Sequence, residues 1–172
     1  VKKYDANFAF DLEKISGGKL DVAISGSFPG DRLFAHACWP IANLDHFVRD
    51  EGTIILCAPV PGGLAHYTYA KGYMPPTSES IRGLYEDVFY GKQALWHACL
   101  WMPIIEVMAK KEVIVVTEPQ RLPDFETVKI KAVTSLTEAF EIVKNKYGHH
   151  MKVGNFPYGK WVLPKGLNKK SD

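Results

Sequence analysis

The chain has 172 residues, 47% of them apolar, which is a globular composition long enough for one domain with a sizeable core. Its 21 basic and 19 acidic side chains leave a net charge of +2, a balance that gives no electrostatic case for nucleic acid. No apolar run approaches the roughly 18 residues of a spanning helix, so no membrane partner is expected.

Phe8, Phe10 and Leu12 alternate with polar or small neighbours, and Gly17-Gly18 is a turn, so residues 1–20 read as a lead-in segment with a short edge strand. The first confident strand is Asp21 to Ile24. It runs into the small-residue turn Ser25-Gly26-Ser27-Phe28-Pro29-Gly30. A strand that ends in such residues just before a helix is where open α/β folds place ligands. From Asp31 to Arg49 the apolar positions Leu33, Phe34, Ala37, Ile41, Leu44, Phe47 and Val48 mark one buried helical face. Asp31 is the expected cap, and Pro40 should kink or split the helix. The opposite face carries Arg32, His36, Trp39, Asn43 and His46.

Glu51-Gly52 reads as the end of that helix. Thr53 to Ala58 is a continuous apolar run, as in a strand covered on both faces, and Pro59 to Gly63 is a loop at its carboxyl end. His66 to Pro76 suggests an ordered loop or lid. Ser78 caps a helical pattern of Ile81, Leu84, Tyr85, Val88 and Phe89, which Gly91 interrupts. Leu95, Ala98, Cys99, Met102, Ile105 and Met108 form a second pattern, with Pro103 as a kink. Val113 to Thr117 is another buried strand, Pro119 to Asp124 a loop, and Val128 to Val133 a short strand. Ser135 and Glu138 have the spacing of a capping box, Leu136, Ala139, Phe140 and Val143 form the stripe behind it, and Gly148 stops the helix. Lys160 to Leu163 is the last expected strand, and Lys165, Lys169 and Lys170 belong to a solvated tail.

This alternation predicts an α/β fold: an open, mostly parallel, Rossmann-like sheet with helices on both faces. The expected organisation is a single α/β domain over 21–164 and a flexible tail over 165–172. Cys38, Cys57 and Cys99 are odd in number, widely spaced and without a CxxC pair, which argues against disulfides or zinc and for a reducing cytoplasm. The chain begins with Val1 and not Met, so it reads as processed or as a piece of a longer protein.

A dinucleotide site needs GxGxxG and an acid after the second strand; the turn offers only Gly26 and Gly30, and the strand ends in Ala58-Pro59. The missing acid also weakens a methyltransferase-like reading. GxxxxGK[ST], GxSxG, HxxxH and CxxC are absent. His36 and Trp39, three residues apart beside the first-strand turn, are either binding groups or an ordinary surface histidine and a packing tryptophan. Arg32 could clamp a carboxylate with its two-pronged guanidinium, or be simply solvated. Trp101 suits core packing better than a site.

The run from Asp21 to Ala58 resembles the C-terminal domain of the lactate racemase family, which are nickel-pincer-nucleotide enzymes. Phe28-Pro29-Gly30-Asp31 matches the family's aromatic-Pro-x-Asp step, and Glu51-Gly52-Thr53-Ile54-Ile55 matches the entry to its second strand. The likeness extends from about Lys19 to Pro164. It implies a racemase or epimerase in which a 2-hydroxy acid gives its α-hydrogen as hydride to the pincer cofactor's pyridinium, while a histidine takes the hydroxyl proton. In the family those histidines, the cofactor-tethering lysine and the nickel ligand belong to an N-terminal catalytic domain. The resemblance therefore implies that this chain holds no catalytic residue, no metal and no cofactor by itself, and that alone it is inactive.

Carried over by position, the substrate contacts fall on His36, where the family has a glutamine, and Trp39, where it has a lysine. Loss of the lysine removes a cation, so the substrate is not lactate or its carboxylate is held elsewhere, with Arg32 and Asp31 as candidates. Trp96 is the counterpart of a later tryptophan contact, with Trp101 fitting nearly as well. The competing expectation is a free-standing α/β small-molecule-binding or interaction module without chemistry.

Overall fold

The computed structural model describes residues 9–64, 81–92 and 95–165, without the side chains of Glu13, Ile15, Ile81, Trp96 and His97. Five strands form one parallel sheet: β2 (Leu20–Gly26), β3 (Val48–Cys57), β4 (Glu112–Val116), β5 (Lys131–Val133) and β6 (Val153–Phe156), in the order β5-β4-β3-β2-β6. A separate parallel pair joins β1 (Ala9–Phe10) to β7 (Leu163–Pro164). The chain winds outward from β2 to β5 and then returns to set β6 on β2's other side. That reversal puts a switch point between β2 and β6, where open α/β sheets bind ligands beyond the carboxyl ends.

Strict alternation along the strands assigns their side chains to two cores. Ala23, Ile54, Leu56, Val113 and Val115 face one way. They pack against α2 (Phe34–Ala37), α3 (Trp39–Leu44), α4 (Ile81–Phe89), α5 (Leu95–Met108) and α6 (Leu122–Thr127) through Phe34, Ile41, Leu84, Trp101 and Phe125. Val22, Ile55 and Ile114 face the other way, onto Ala139 and Val143 of α7 (Leu136–Tyr147). Helices cover both faces, which is why the central strands read as unbroken apolar runs. Each fully buried Ile or Leu here contributes about 1.5–3 kcal/mol relative to exposure.

Several local expectations are corrected. Pro40 does split the helix after β2, but at Cys38, and Pro40 lies in the first turn of α3, where a missing N–H costs nothing. Asp31 does not cap it: the N-cap is Leu33, with no side-chain bond. Glu51-Gly52 lies inside β3. Leu20 pairs with Val48 and Val22 with Thr53, so β3 carries extra residues there as a bulge. A Cβ on Gly52 would sit 2.4 Å from Val48 Cγ1 and 2.9 Å from Asp21 O, so the bulge needs glycine.

The lead-in contains a short helix, α1 (Leu12–Ser16). The segment after β4 is a 3-10 turn (Pro119–Arg121) and α6 in place of a loop. Tyr85 and Phe89 of α4 and Leu136 of α7 are exposed, so only part of each expected stripe is buried. The capping box is half as expected: Ser135 Oγ accepts from Glu138 N at 3.1 Å, but Glu138 Oε2 accepts from Thr134 N at 3.2 Å. Of Lys160–Leu163, Lys160 and Trp161 lie in a second 3-10 turn (Gly159–Trp161) and Leu163 opens β7, so the last strand of the five-stranded sheet is β6. The His66–Pro76 lid, the Ser78 cap, Phe8, Lys169 and Lys170 lie outside the described residues.

Candidate functional site

Three chain segments converge on the carboxyl tip of β2. The first is its own turn. Ser27 Oγ donates to Cys57 O at 3.0 Å, tying the turn to β3, and Gly30 N closes it on Ser27 O at 2.8 Å. The Phe28–Pro29 peptide is cis. A Cβ on Gly30 would lie 2.5 Å from His36 O, so this glycine lets α2 settle directly on the turn.

The second segment is the loop after β3. Val60 N donates to Asp31 O, Gly62 N to Arg32 O, and Phe34 N to Gly63 O, at 3.0, 2.9 and 3.0 Å. The loop thus laces the start of α2 to the tip of β3. Thr117 Oγ1, at the end of β4, donates to Pro59 O at 3.0 Å and extends the lacing to the next strand.

The third is the exit from β6. A Cβ on Gly26 would meet Pro157 O at 2.7 Å, and one on Gly159 would meet Ser25 Oγ at 2.2 Å and Pro40 Cβ at 3.1 Å. Asn43 Nδ2 donates to Gly159 O and Lys160 O at 3.2 and 2.7 Å. The chain's own C-terminal segment therefore floors the crevice at the switch point.

His36 and Trp39 stand on either side of the break at Cys38, and both are exposed, Trp39 by 45%. Of the polar face expected from the sequence, Asn43 is taken up by the C-terminal segment. Arg32 is exposed and Asp31 half-buried, each lending its backbone carbonyl to the β3 loop. Trp96's side chain is outside the description. Trp101 is buried, 6.1 Å from Phe34 ring to ring, and belongs to the core. Three aromatics of the segments that meet here are exposed: Phe28 at 61% in the turn, and Tyr158 at 59% and Trp161 at 42% in the exit from β6. Phe28 was legible inside the turn. Tyr158 and Trp161 were not, because nothing in the sequence says that β6 pairs with β2.

The cysteines are free thiols. Burial pushes Cys38 up to about 12, with smaller opposing effects from a backbone hydrogen bond and Lys160, so it stays protonated and inert. Burial also raises Cys57 at the tip of β3. Among the described residues, no three His, Cys, Asp or Glu side chains come together as a possible metal-ligand set. A separate cavity of about 510 Å3 runs beside β6, walled by Phe10, Leu20, Phe47, Phe156 and Tyr158. No helix among the described residues is long and apolar enough to cross a membrane.

No protein-family model matches the chain, and no curated protein matches it significantly. Among solved structures, the lactate racemase apoprotein from Thermoanaerobacterium thermosaccharolyticum superposes with a TM-score of 0.78. The chain resembles a lactate racemase in fold. The match covers 95% of this chain at 14% identity, and the chain spans 39% of that protein's length. The likeness establishes the open α/β fold read from the sequence, and at that identity it is a likeness of fold.

Proposed function

We propose that this chain is the C-terminal, substrate-capping domain of a lactate-racemase-like racemase or epimerase that acts on a 2-hydroxy acid. One observation carries the reading: the fold likeness spans nearly all of this chain but only 39% of the lactate racemase. On that reading an N-terminal catalytic domain of the same parent protein is the partner, and both work in the cytoplasm, which suits three free thiols.

When bound, the nickel-pincer nucleotide would supply the hydride acceptor. On this reading its holder is the N-terminal domain. The chain's own part is to bind, orient and exclude water. The exposed rings of Phe28 and Trp39 offer apolar surface for closing over a reacting centre, where expelled water strengthens every electrostatic contact. His36 offers a hydrogen-bonding imidazole at the same tip. Trp39, in place of a cation, favours an acid whose side chain is larger and more apolar than lactate's. A second reading, a small-molecule-binding module, is favoured by the cavity beside β6.

The test is chiral chromatography of enantiopure 2-hydroxy acids incubated with this chain alone and with the whole parent protein carrying its cofactor. The whole protein should interconvert enantiomers and the chain alone should not. Racemisation by the chain alone, or none of any tested acid by the loaded whole protein, sinks the reading.

A further inference from the structure

Arg121 closes the 3-10 turn that follows β4, and its guanidinium lies against the loop after β3. Nη1 donates to Asp124 Oδ2 at 3.2 Å. A Cβ on Gly63 would lie 3.2 Å from that Nη1 and 3.4 Å from the Asp124 oxygen, so the pair is packed on glycine backbone where no side chain intervenes. Gly63 also accepts the N–H of Phe34, two residues before His36. Phe125, on the helix that follows Arg121, meets Phe34 ring to ring at 5.1 Å. Arg121 and the His36 helix therefore flank the loop after β3, each from the tip of a strand beside it.

The guanidinium's other edge is unspent. Nε is buried and has no hydrogen-bond partner among the described residues. An arginine presents its donors in a rigid fork, and the edge formed by Nε and Nη2 grips a carboxylate with two parallel bonds. Asp124 occupies only Nη1 and so fixes the plane while leaving that edge over. A buried ionised donor with nothing to donate to is costly, and such a group points to an acceptor that belongs there. The side chain is 30% exposed, an exposure its buried Nε does not supply, so an arriving anion meets the outer nitrogens first. The neighbouring Glu118 carboxylate is engaged by the Gln120 amide.

We propose that Arg121 is the carboxylate anchor of this crevice: its Nε/Nη2 edge receives the carboxylate of the organic acid while Asp124 holds the opposite side. The identity of the acid as a 2-hydroxy acid rests on the function proposed above. The cation comes from the strand next but one to β2, and it answers the loss of a cation at Trp39. Asp124 offsets part of the charge, so the isolated chain binds weakly, with a Kd on the order of millimolar.

The experiment follows the Arg121 Nε–Hε correlation of the nitrogen-15-labelled chain by NMR during titration with sodium 2-hydroxyisovalerate. The neutral amide of the same acid, sodium chloride and inorganic phosphate are the controls. The acid should move the Arg121 signal saturably and the amide should not. Arg121→Lys should bind at least about tenfold more weakly, and Arg121→Gln should lose saturable binding. A silent Arg121 signal, an unchanged affinity in Arg121→Gln, or an equal response to phosphate or chloride overturns the anchor. If a substitution prevents folding, the wild-type titration decides alone. Should Arg121 respond while the loaded whole protein racemises nothing, the anchor stands and the racemase reading falls. Should the acid move His36 and Trp39 signals but not Arg121, the reading stands and the anchor falls.

Discussion

Replacing Gly159 with alanine tests whether the C-terminal segment is truly seated on the tip of β2. The added Cβ would lie 2.2 Å from Ser25 Oγ, with Ser25 Cβ and Pro40 Cβ at 3.1 Å. Ordinary contact begins near 3.4 Å, so the oxygen clashes by more than an ångström and the two carbons by a few tenths. Ser25 is fully buried and its hydroxyl donates to Gly26 O at 2.8 Å, so it cannot swing aside without losing that bond. Overpacking of this kind costs about 1–3 kcal/mol. Ser25→Ala alone forfeits one hydrogen bond, about 1 kcal/mol. In the double variant the worst clash is gone and only the 3.1 Å contacts remain. The double should therefore cost less than the sum of the singles by about 1 kcal/mol, a coupling of contacting residues. Urea denaturation reads this as midpoint shifts at constant m. A double variant whose cost is simply the sum, or a Gly159→Ala protein with the wild-type midpoint, refutes the seating of the segment on this tip.

Two further outcomes concern the opposite end of the sheet. Burial would raise Asp21, but the Lys152 N–H at 2.7 Å and Arg49 Nε at 2.6 Å outweigh it and hold the carboxyl below 3.8; Glu112 is likewise held below 4.5, against burial, by Lys131 and Lys146. Groups lowered on folding stabilise fully above their unfolded values and lose that contribution as pH falls through the folded ones. Stability should thus be insensitive to these groups from pH 7 to about 5 and drop below about 4, with Asp21→Asn flattening part of the acid limb in denaturation curves; an unchanged limb contradicts this. Lys111, 2% exposed, bonds Asp45 at 2.5 Å and Asp50 at 3.3 Å, with the carboxylates 29% and 74% exposed. Asp45→Ala should cost about 3 kcal/mol by stranding a buried cation, and Asp50→Ala under about 1 kcal/mol; equal urea midpoints for the two would contradict the assignment.

How far the fold could be read from the chain follows from how many faces of an element are buried. Ile54–Ala58 and Val113–Val116 are apolar throughout because both cores need them, and such runs have few other readings. Edge elements carry weaker marks. β6 is Val-Gly-Asn-Phe, with Val153 39% exposed, and it is a strand because β2 offers it a ladder. Its glycine answers a tertiary demand, since a Cβ at Gly154 would meet Leu20 Cδ1 at 2.4 Å. Phe47 and Val48 satisfied helical spacing by coincidence: both are fully buried, but β3 begins at Val48. Periodicity sees burial, and burial there arose from two successive elements turning toward one core.

The candidate site divides along the same line. The turn from Ser25 to Gly30 was legible because small residues and a proline between a strand and a helical pattern mark a turn, although Ser27 answers Cys57 and Gly26 answers Pro157. Arg121 was not legible, because Pro119 to Asp124 has no period and reads as a loop; its meaning comes from Gly63, 58 residues earlier in the chain. A binding group of this kind is defined by what it leaves unpaired, and pairing is settled only once every distant neighbour is in place. The sheet order makes the same point for the crevice. β2 is the first strand of the five-stranded sheet in the chain and β6 the last, so the floor between their tips joins distant parts of the chain, and the residues that form it had no local reason to be noticed.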